Sequence, residues 1–240
     1  KLPAIPPEGS YAVRPVSRDE IRLRLAELAL RVNQAPHAKY LLLEAARQQK
    51  VDPRVLEALA HDAMAERDQS RALERWNQAV EAGSEKPSVY RVVSRLEAEK
   101  YFSAPDLHYR QPAEITERMR SLVLRSLTFE PEQSRGYEIL TLVEAFAQSP
   151  SVRNLNVVQK NFGKIEDTVT TTLLLAFSRF RLADKSGALE MLDKLADQSL
   201  DETDSGRVAH LRNHIEGRPQ EAGRGQFTVP VRIKVAVPED

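Results

Sequence analysis

The sequence contains no cysteine among its 240 residues. This absence excludes a disulfide-bonded fold, a zinc site with cysteine ligands and a cysteine nucleophile. No stretch approaches the roughly 18 consecutive apolar residues that a membrane-spanning helix needs. Lysine plus arginine and aspartate plus glutamate each number 35, so the formal net charge is zero. A neutral balance argues against general binding to nucleic acid or to anionic lipid, because both require a basic surface.

Motifs that carry chemistry are also scarce. No glycine-rich phosphate loop and no G-x-S-x-G nucleophile turn occur. His210 and His214 stand four residues apart, but a zinc-peptidase helix needs glutamate directly after its first histidine, where this chain has Leu211. They are interpreted as surface histidines of a terminal helix. The sequence therefore predicts no enzyme activity, no metal and no cofactor within this chain.

What the sequence does contain is a repeat with a period of about 34 residues. The pattern A-x3-L-x2-A recurs one period later as A-x3-W-x2-A, and a Leu-Ala pair precedes each copy. Small side chains in such a pattern let two antiparallel helices approach closely, while the large ones fill the space between neighbouring pairs. The matched positions are Leu25, Ala26, Ala29, Ala38, Leu42 and Ala45 in the first copy and Leu59, Ala60, Ala63, Ala72, Trp76 and Ala79 in the second.

This spacing resembles the tetratricopeptide repeat, a helix pair with the same period. The sequence departs from that repeat at its first aromatic position, where Arg22 and Leu56 stand. The resemblance implies an all-α fold, a right-handed superhelix of about five helix pairs, with a short C-terminal β-strand over Phe227–Val237. Over most of its length the chain is also similar to the C-terminal repeat region of exported bacterial proteins. In those proteins a metallopeptidase-like domain of unknown function precedes the repeats.

The sequence predicts three segments: an extended N-terminal arm over 1–16, a helical repeat domain over 17–217, and a linker with the C-terminal strand over 218–240. Ser17 and Asp52 are expected to cap the first helix of the first two repeats, and Gly83 to end the second repeat. The third unit carries about a dozen additional residues between its two helices. A final helix is expected from about 205 to 216.

The inner face of the predicted superhelix offers the candidate binding residues. In this register, basic and polar side chains from the first helices of repeats two and three face inward, and their arginines suit carboxylate groups. A competing interpretation is that Glu57 and Glu99 pair with these arginines and neutralise the groove. In the fifth repeat, Leu173, Phe177 and Phe180 are expected to be covered by the final helix. The candidate binding residues are Arg54, Glu57, His61, Arg91 and Arg95.

The functional prediction is a scaffold that binds a protein or peptide, within a larger exported bacterial protein. The alternative is an accessory helical domain that regulates an upstream metallopeptidase-like catalytic domain. These sequence patterns do not identify the binding partner. Nucleic acid and membrane insertion are not expected.

Overall fold

Eleven α-helices make up most of the part of the chain that the computed structural model describes, which is residues 16–32, 34–48, 51–102, 106–196 and 198–218. No β-strand occurs within these ranges. The predicted arm, except Val16, and the predicted strand lie outside the described residues. The helices are α1 (Arg18–Arg31), α2 (Ala35–Ala45), α3 (Pro53–Ala65), α4 (Gln69–Glu81), α5 (Pro87–Tyr101), α6 (Ala113–Phe129), α7 (Ser134–Phe146), α8 (Val152–Lys160), α9 (Thr168–Arg181), α10 (Lys185–Ala196) and α11 (Glu202–Glu216).

These helices form five consecutive pairs followed by one terminal helix. Both α3 and α5 begin at a proline, and the two starts, Pro53 and Pro87, are separated by one repeat period. The predicted all-α, tetratricopeptide-like arrangement of helix pairs is therefore confirmed. No helix of the described ranges is both long enough and apolar enough to cross a membrane.

The chain divides into two compact units, residues 1–84 and residues 85–240, here called unit 1 and unit 2. Unit 1 contains α1–α4 and unit 2 contains α5–α11. The division predicted from the sequence, into segments 1–16, 17–217 and 218–240, has different boundaries from these units and stays a prediction.

The core of unit 1 is built from the repeated small and large residues. Trp76 and Leu42 are buried, as are the alanines that surround them in α2, α3 and α4. Leu25 is the exception, because its side chain is 47 % exposed while its counterpart Leu59 is 4 % exposed. The same position of the repeat is thus buried in the second helix pair and exposed to solvent in the first.

Caps predicted from the sequence begin and end these helices. The hydroxyl of Ser17 accepts a hydrogen bond from the Glu20 amide at 3.0 Å, and Asp52 accepts one from the Arg54 amide at 2.9 Å. Gly83 has φ +87°, a backbone conformation that side chains disfavour. The Ser84 amide then donates to the Ala79 carbonyl at 2.9 Å, which closes α4 with a Schellman turn.

Unit 2 has a larger core, centred on α7 and α9. Leu140, Phe146, Leu173 and Phe177 are all fully or almost fully buried, which confirms the burial expected for Leu173 and Phe177. Phe180 is half-buried, and its ring contacts a residue of the final helix, so the final helix covers it in part. The additional residues of the third pair fall between the end of α5 at Tyr101 and the start of α6 at Ala113, as predicted.

The terminal helix α11 begins at Glu202, which is slightly earlier than expected. The side chain of Asp201 accepts a hydrogen bond from the Asp204 amide at 2.7 Å and so provides the N-cap. Because this cap lies before the predicted start at about residue 205, the helix is longer than expected by almost one turn.

A buried ion pair connects α6 and α7 in unit 2. The Glu144 carboxylate is fully buried and accepts two hydrogen bonds from the Arg120 guanidinium, Nε to Oε1 at 2.8 Å and Nη2 to Oε2 at 2.6 Å. The Ser151 amide and the Asn154 side-chain amide donate to the same carboxylate at 2.7 and 2.6 Å. Four donors therefore compensate the burial of this charge.

Candidate functional site

The five candidate binding residues fall on two helices in different units. Arg54, Glu57 and His61 lie on α3 in unit 1, separated by three and four residues, so they share one face of that helix. Arg91 and Arg95 lie on α5 in unit 2, one helical turn apart.

Each of the three residues on α3 has a partner within unit 1. The Arg54 guanidinium pairs with the Asp52 carboxylate at 2.7 Å, and hydrogen bonding to Asp52 raises the pKa of Arg54. Glu57 is buried and accepts a hydrogen bond from the Ser84 hydroxyl at 2.5 Å. The ring of His61 meets the Trp76 ring edge-on, with centroids 5.4 Å apart. Arg54 is thus neutralised by Asp52 and not by Glu57 as the competing interpretation supposed.

The two arginines on α5 differ in their partners. The Arg91 guanidinium forms an ion pair with Glu130 at 2.8 Å. The Arg95 Nε is buried and has no hydrogen-bond acceptor among the described residues. Burial lowers the pKa of Arg95, the nearby cations Arg135 and Arg91 lower it further, and Glu99 opposes them. Within the described ranges Arg95 forms no ion pair, so its positive charge is half-buried and only partly compensated.

A second basic group of unit 2 was not among the candidate binding residues. The guanidinium carbons of Arg110 and Arg181 lie 5.4 and 6.0 Å from the centroid of the Phe177 ring. Arg181 donates to the carbonyls of Ala145 and Gln148 at 2.8 and 2.9 Å, and Arg110 donates to the Leu107 carbonyl at 2.8 Å. These carbonyls fix the direction of both side chains without cancelling their charges.

Burial lowers the pKa of Arg181 to about 10, and the positive charge of Arg110 contributes to the same shift. Burial likewise lowers the pKa of Arg110, against the opposing charge of Asp106. No carboxylate of the described residues forms an ion pair with either guanidinium. Two cations held near one another without such a partner are a candidate site for an anionic group.

Only part of this basic group was accessible to sequence reasoning. Arg181 follows the inward-facing Phe177 by one helical turn, so the repeat register points to it. Arg110 lies between α5 and α6, where no repeat register applies. Its contact with Phe177 is a tertiary contact, which no periodic pattern in the sequence predicts.

The histidines of α11 border this basic group. The His214 ring lies 5.6 Å from the Phe180 ring and 6.0 Å from the His108 ring. His210 and His214 are both half-buried, so the interpretation of them as surface residues is wrong. Among the described residues, no three histidine, aspartate or glutamate side chains are placed to hold a metal ion together.

We expect these histidines to make the stability of the protein fall as the pH decreases from about 7.5 to about 5.5. Burial lowers the pKa of both, and His108, His210 and Arg110 lower that of His214 further. A folded-state pKa below the ordinary value of about 6.5 means that the unfolded chain binds more protons in this range, which favours unfolding. Urea unfolding at the two pH values measures the decline.

The double variant His210→Gln/His214→Gln should show a smaller decline over this pH range. His37→Gln, at an exposed position of α2, is the matched control. An identical decline in the double variant and in the unchanged protein would contradict this prediction.

Several solved structures are similar to this chain, and three of them are described here. Residues 41 to the end of MamA from Desulfovibrio magneticus RS-1 are 15 % identical, with a TM-score of 0.41, and the match covers 76 % of this chain and 96 % of that one. TTC0263, a thermophilic TPR protein of Thermus thermophilus, is 19 % identical, with a TM-score of 0.40, and the match covers 80 % of this chain and 98 % of that one. A MamA RS-1 double mutant is 15 % identical, with a TM-score of 0.40, and the match covers 85 % of this chain and 99 % of that one.

No protein-family model matches the chain, and no curated protein matches its sequence. Because the structural likenesses have TM-scores near 0.4, the fold assignment rests on the helix pairs and on the period at which they recur. The chain is an all-α protein of tetratricopeptide-like helix pairs.

Proposed function

We propose that this protein is a non-catalytic interaction scaffold that binds acidic segments of a protein or peptide. The observation that carries the proposal is the state of Arg95, a half-buried guanidinium whose Nε lacks an acceptor among the described residues. Arg110 and Arg181 support it, because they too lack an ion pair in the described part of the chain. All three lie in unit 2.

The physical argument is the cost of an uncompensated buried cation. Removing a guanidinium from water is unfavourable, and the lowered pKa of Arg95 and Arg181 reflects that cost. A carboxylate from a partner offers charge and two acceptor oxygens that match the guanidinium fork. Binding of a carboxylate would therefore give the buried guanidinium the favourable charge interaction that it lacks in the unbound protein.

The proposed site takes Arg91 and Arg95 as its central residues. Arg91 already contacts Glu130, so its role is to add positive charge beside Arg95. Arg54, Glu57 and His61 remain candidates from the predicted inner face, but their existing partners in unit 1 leave them less to gain from a ligand. We therefore assign them a smaller contribution to affinity.

The double variant Arg91→Glu/Arg95→Glu tests this proposal. The probe is the acidic peptide acetyl-hexaglutamate-amide, titrated by calorimetry at low salt. We expect the unchanged protein to bind and the variant to lose at least about tenfold in affinity, because two charge-assisted contacts become repulsive. Helicity by circular dichroism should stay the same.

The matched control is Arg153→Glu/Lys160→Glu, which makes the same change in charge at two exposed positions of α8. This variant should bind the peptide almost as well as the unchanged protein. Equal losses in the two variants would mean that binding reflects net charge alone and would overturn the assigned site.

The setting of the protein is part of the proposal. The resemblance to repeat regions of exported bacterial proteins supports an exported scaffold and supports, as the alternative, an accessory domain of an upstream metallopeptidase-like domain. Absence of any binding to the acidic peptide would favour the alternative, in which the partner is that upstream domain.

A further inference from the structure

An apolar stripe runs along α1, the first helix of unit 1, and continues to Val32, the residue directly after that helix. Its members are separated by four, three and four residues, so they lie on one side of the helix. All are exposed by about half or more of their surface: Ile21 48 %, Leu25 47 %, Leu28 54 % and Val32 65 %. Four adjacent large apolar side chains without cover are typical of an interaction surface.

The equivalent side of α3 shows what covers such a stripe. Val55 and Leu59 stand one repeat period after Ile21 and Leu25, and both are buried in the core that α2 and α3 share. The first half of the stripe on α1 therefore has the residue types that, on α3, pack against a neighbouring helix. A helix is the element that fits this surface.

The second half of the stripe differs from α3 in its chemistry. The positions equivalent to Leu28 and Val32 are Asp62 and Glu66, whose carboxylates pair with Lys39 of α2 at 2.9 and 2.5 Å. On α1 these carboxylates are replaced by aliphatic side chains. The helix that covers α1 must accordingly present apolar residues there, where α2 presents a lysine.

The border of the stripe is basic. Arg24 and Arg31 are exposed and stand seven residues apart, so they follow one edge of the stripe. Arg24 has only a 3.8 Å contact with Glu20, across a solvent-exposed turn. In paired helices the residues beside the apolar seam determine which partner is accepted, and cations there favour acidic residues on the other helix.

We propose that α1 docks an amphipathic helix of another protein, one whose apolar seam is flanked by glutamate or aspartate. Pairing with α1 of a second copy is disfavoured because it brings arginines to the seam of both helices. This surface belongs to unit 1, whereas Arg91 and Arg95 belong to unit 2, so Arg91→Glu/Arg95→Glu should leave peptide binding at α1 unaffected.

The test uses two helical peptides of three heptads each, both with leucine at the seam positions a and d. One carries glutamate and the other lysine at the flanking positions e and g. Fluorescence anisotropy with the full chain should show the glutamate peptide binding at least about tenfold more tightly than the lysine peptide. Arg24→Glu/Arg31→Glu should reverse that preference.

Leu25→Ser/Leu28→Ser should weaken binding of the glutamate peptide by at least about tenfold, because it removes the centre of the seam. Both positions are exposed, so the fold should be retained. Tyr40→Ser, at another exposed apolar position of unit 1, is the matched control and should bind normally. Absence of binding, or binding that Leu25→Ser/Leu28→Ser leaves unchanged, would overturn the proposal. So would a dimer in light scattering that this variant converts to a monomer, because the occupant would then be a second copy.

Discussion

Glu144→Gln is expected to lower the free energy of unfolding by about 3–5 kcal/mol. The substitution keeps the size of the side chain but removes the negative charge that faces Arg120. The Arg120 side chain is only 12 % exposed, so its buried cation would keep only the exposed Glu117 carboxylate as an ion-pair partner. The glutamine amide replaces one acceptor oxygen by an NH2 donor, so a donor such as the Ser151 amide, which now donates to Oε2 at 2.7 Å, would lose its acceptor. Urea unfolding followed by circular dichroism measures the loss.

The double variant Arg120→Met/Glu144→Leu is the matched control. It removes both charges together and fills the space with apolar atoms, so it should be destabilised far less than the single variant. A single variant that loses less than about 1 kcal/mol would contradict the importance of this pair. Glu190→Gln, which breaks an exposed pair with Lys194, supplies the surface reference.

Ala72→Leu is expected to destabilise the protein by about 1–3 kcal/mol through overpacking. Ala72 is fully buried in α4, close in sequence to the buried Trp76. The repeat keeps a small residue here because α3 and α4 must approach closely, and a leucine would force them apart. Thermal unfolding, with the fluorescence of this only tryptophan as a local reporter, measures the effect.

Ala65→Leu adds the same atoms at an exposed position near the end of α3. It should change stability by no more than about 0.5 kcal/mol. Equal stability of Ala72→Leu and the unchanged protein would mean that the contact between α3 and α4 does not depend on small residues. The packing explanation of the repeat pattern would then fail.

Local chemistry explains which parts of the fold could be predicted from the sequence. A capping aspartate such as Asp52 and a terminal glycine such as Gly83 act within a few residues, so the local sequence predicts where these helices begin and end. Buried alanines that recur at the repeat period reveal a packing requirement shared by the first two helix pairs. Even the lengthened third pair was visible, because prolines such as Pro112 interrupt the helical pattern.

The parts that could not be predicted depend on contacts between distant residues or on a second role of one side chain. Asp52 serves both as the cap of α3 and as the partner of Arg54, a second role that no pattern indicates. Arg110 reaches Phe177 from a loop without periodicity. Leu25 occupies the same repeat position as Leu59 but is exposed, so the position in the repeat does not by itself determine burial.

The most direct measurement of the central claim is a nuclear magnetic resonance titration of the arginine side chains with acetyl-hexaglutamate-amide. The Nε–Hε resonances, assigned with single variants, report each guanidinium separately. The proposed scaffold predicts that the Arg95 resonance shifts most and in a saturable manner, while that of Arg54, already paired with Asp52, stays in place. Saturable binding that leaves Arg95 unshifted would contradict the claim that this arginine receives the acidic partner.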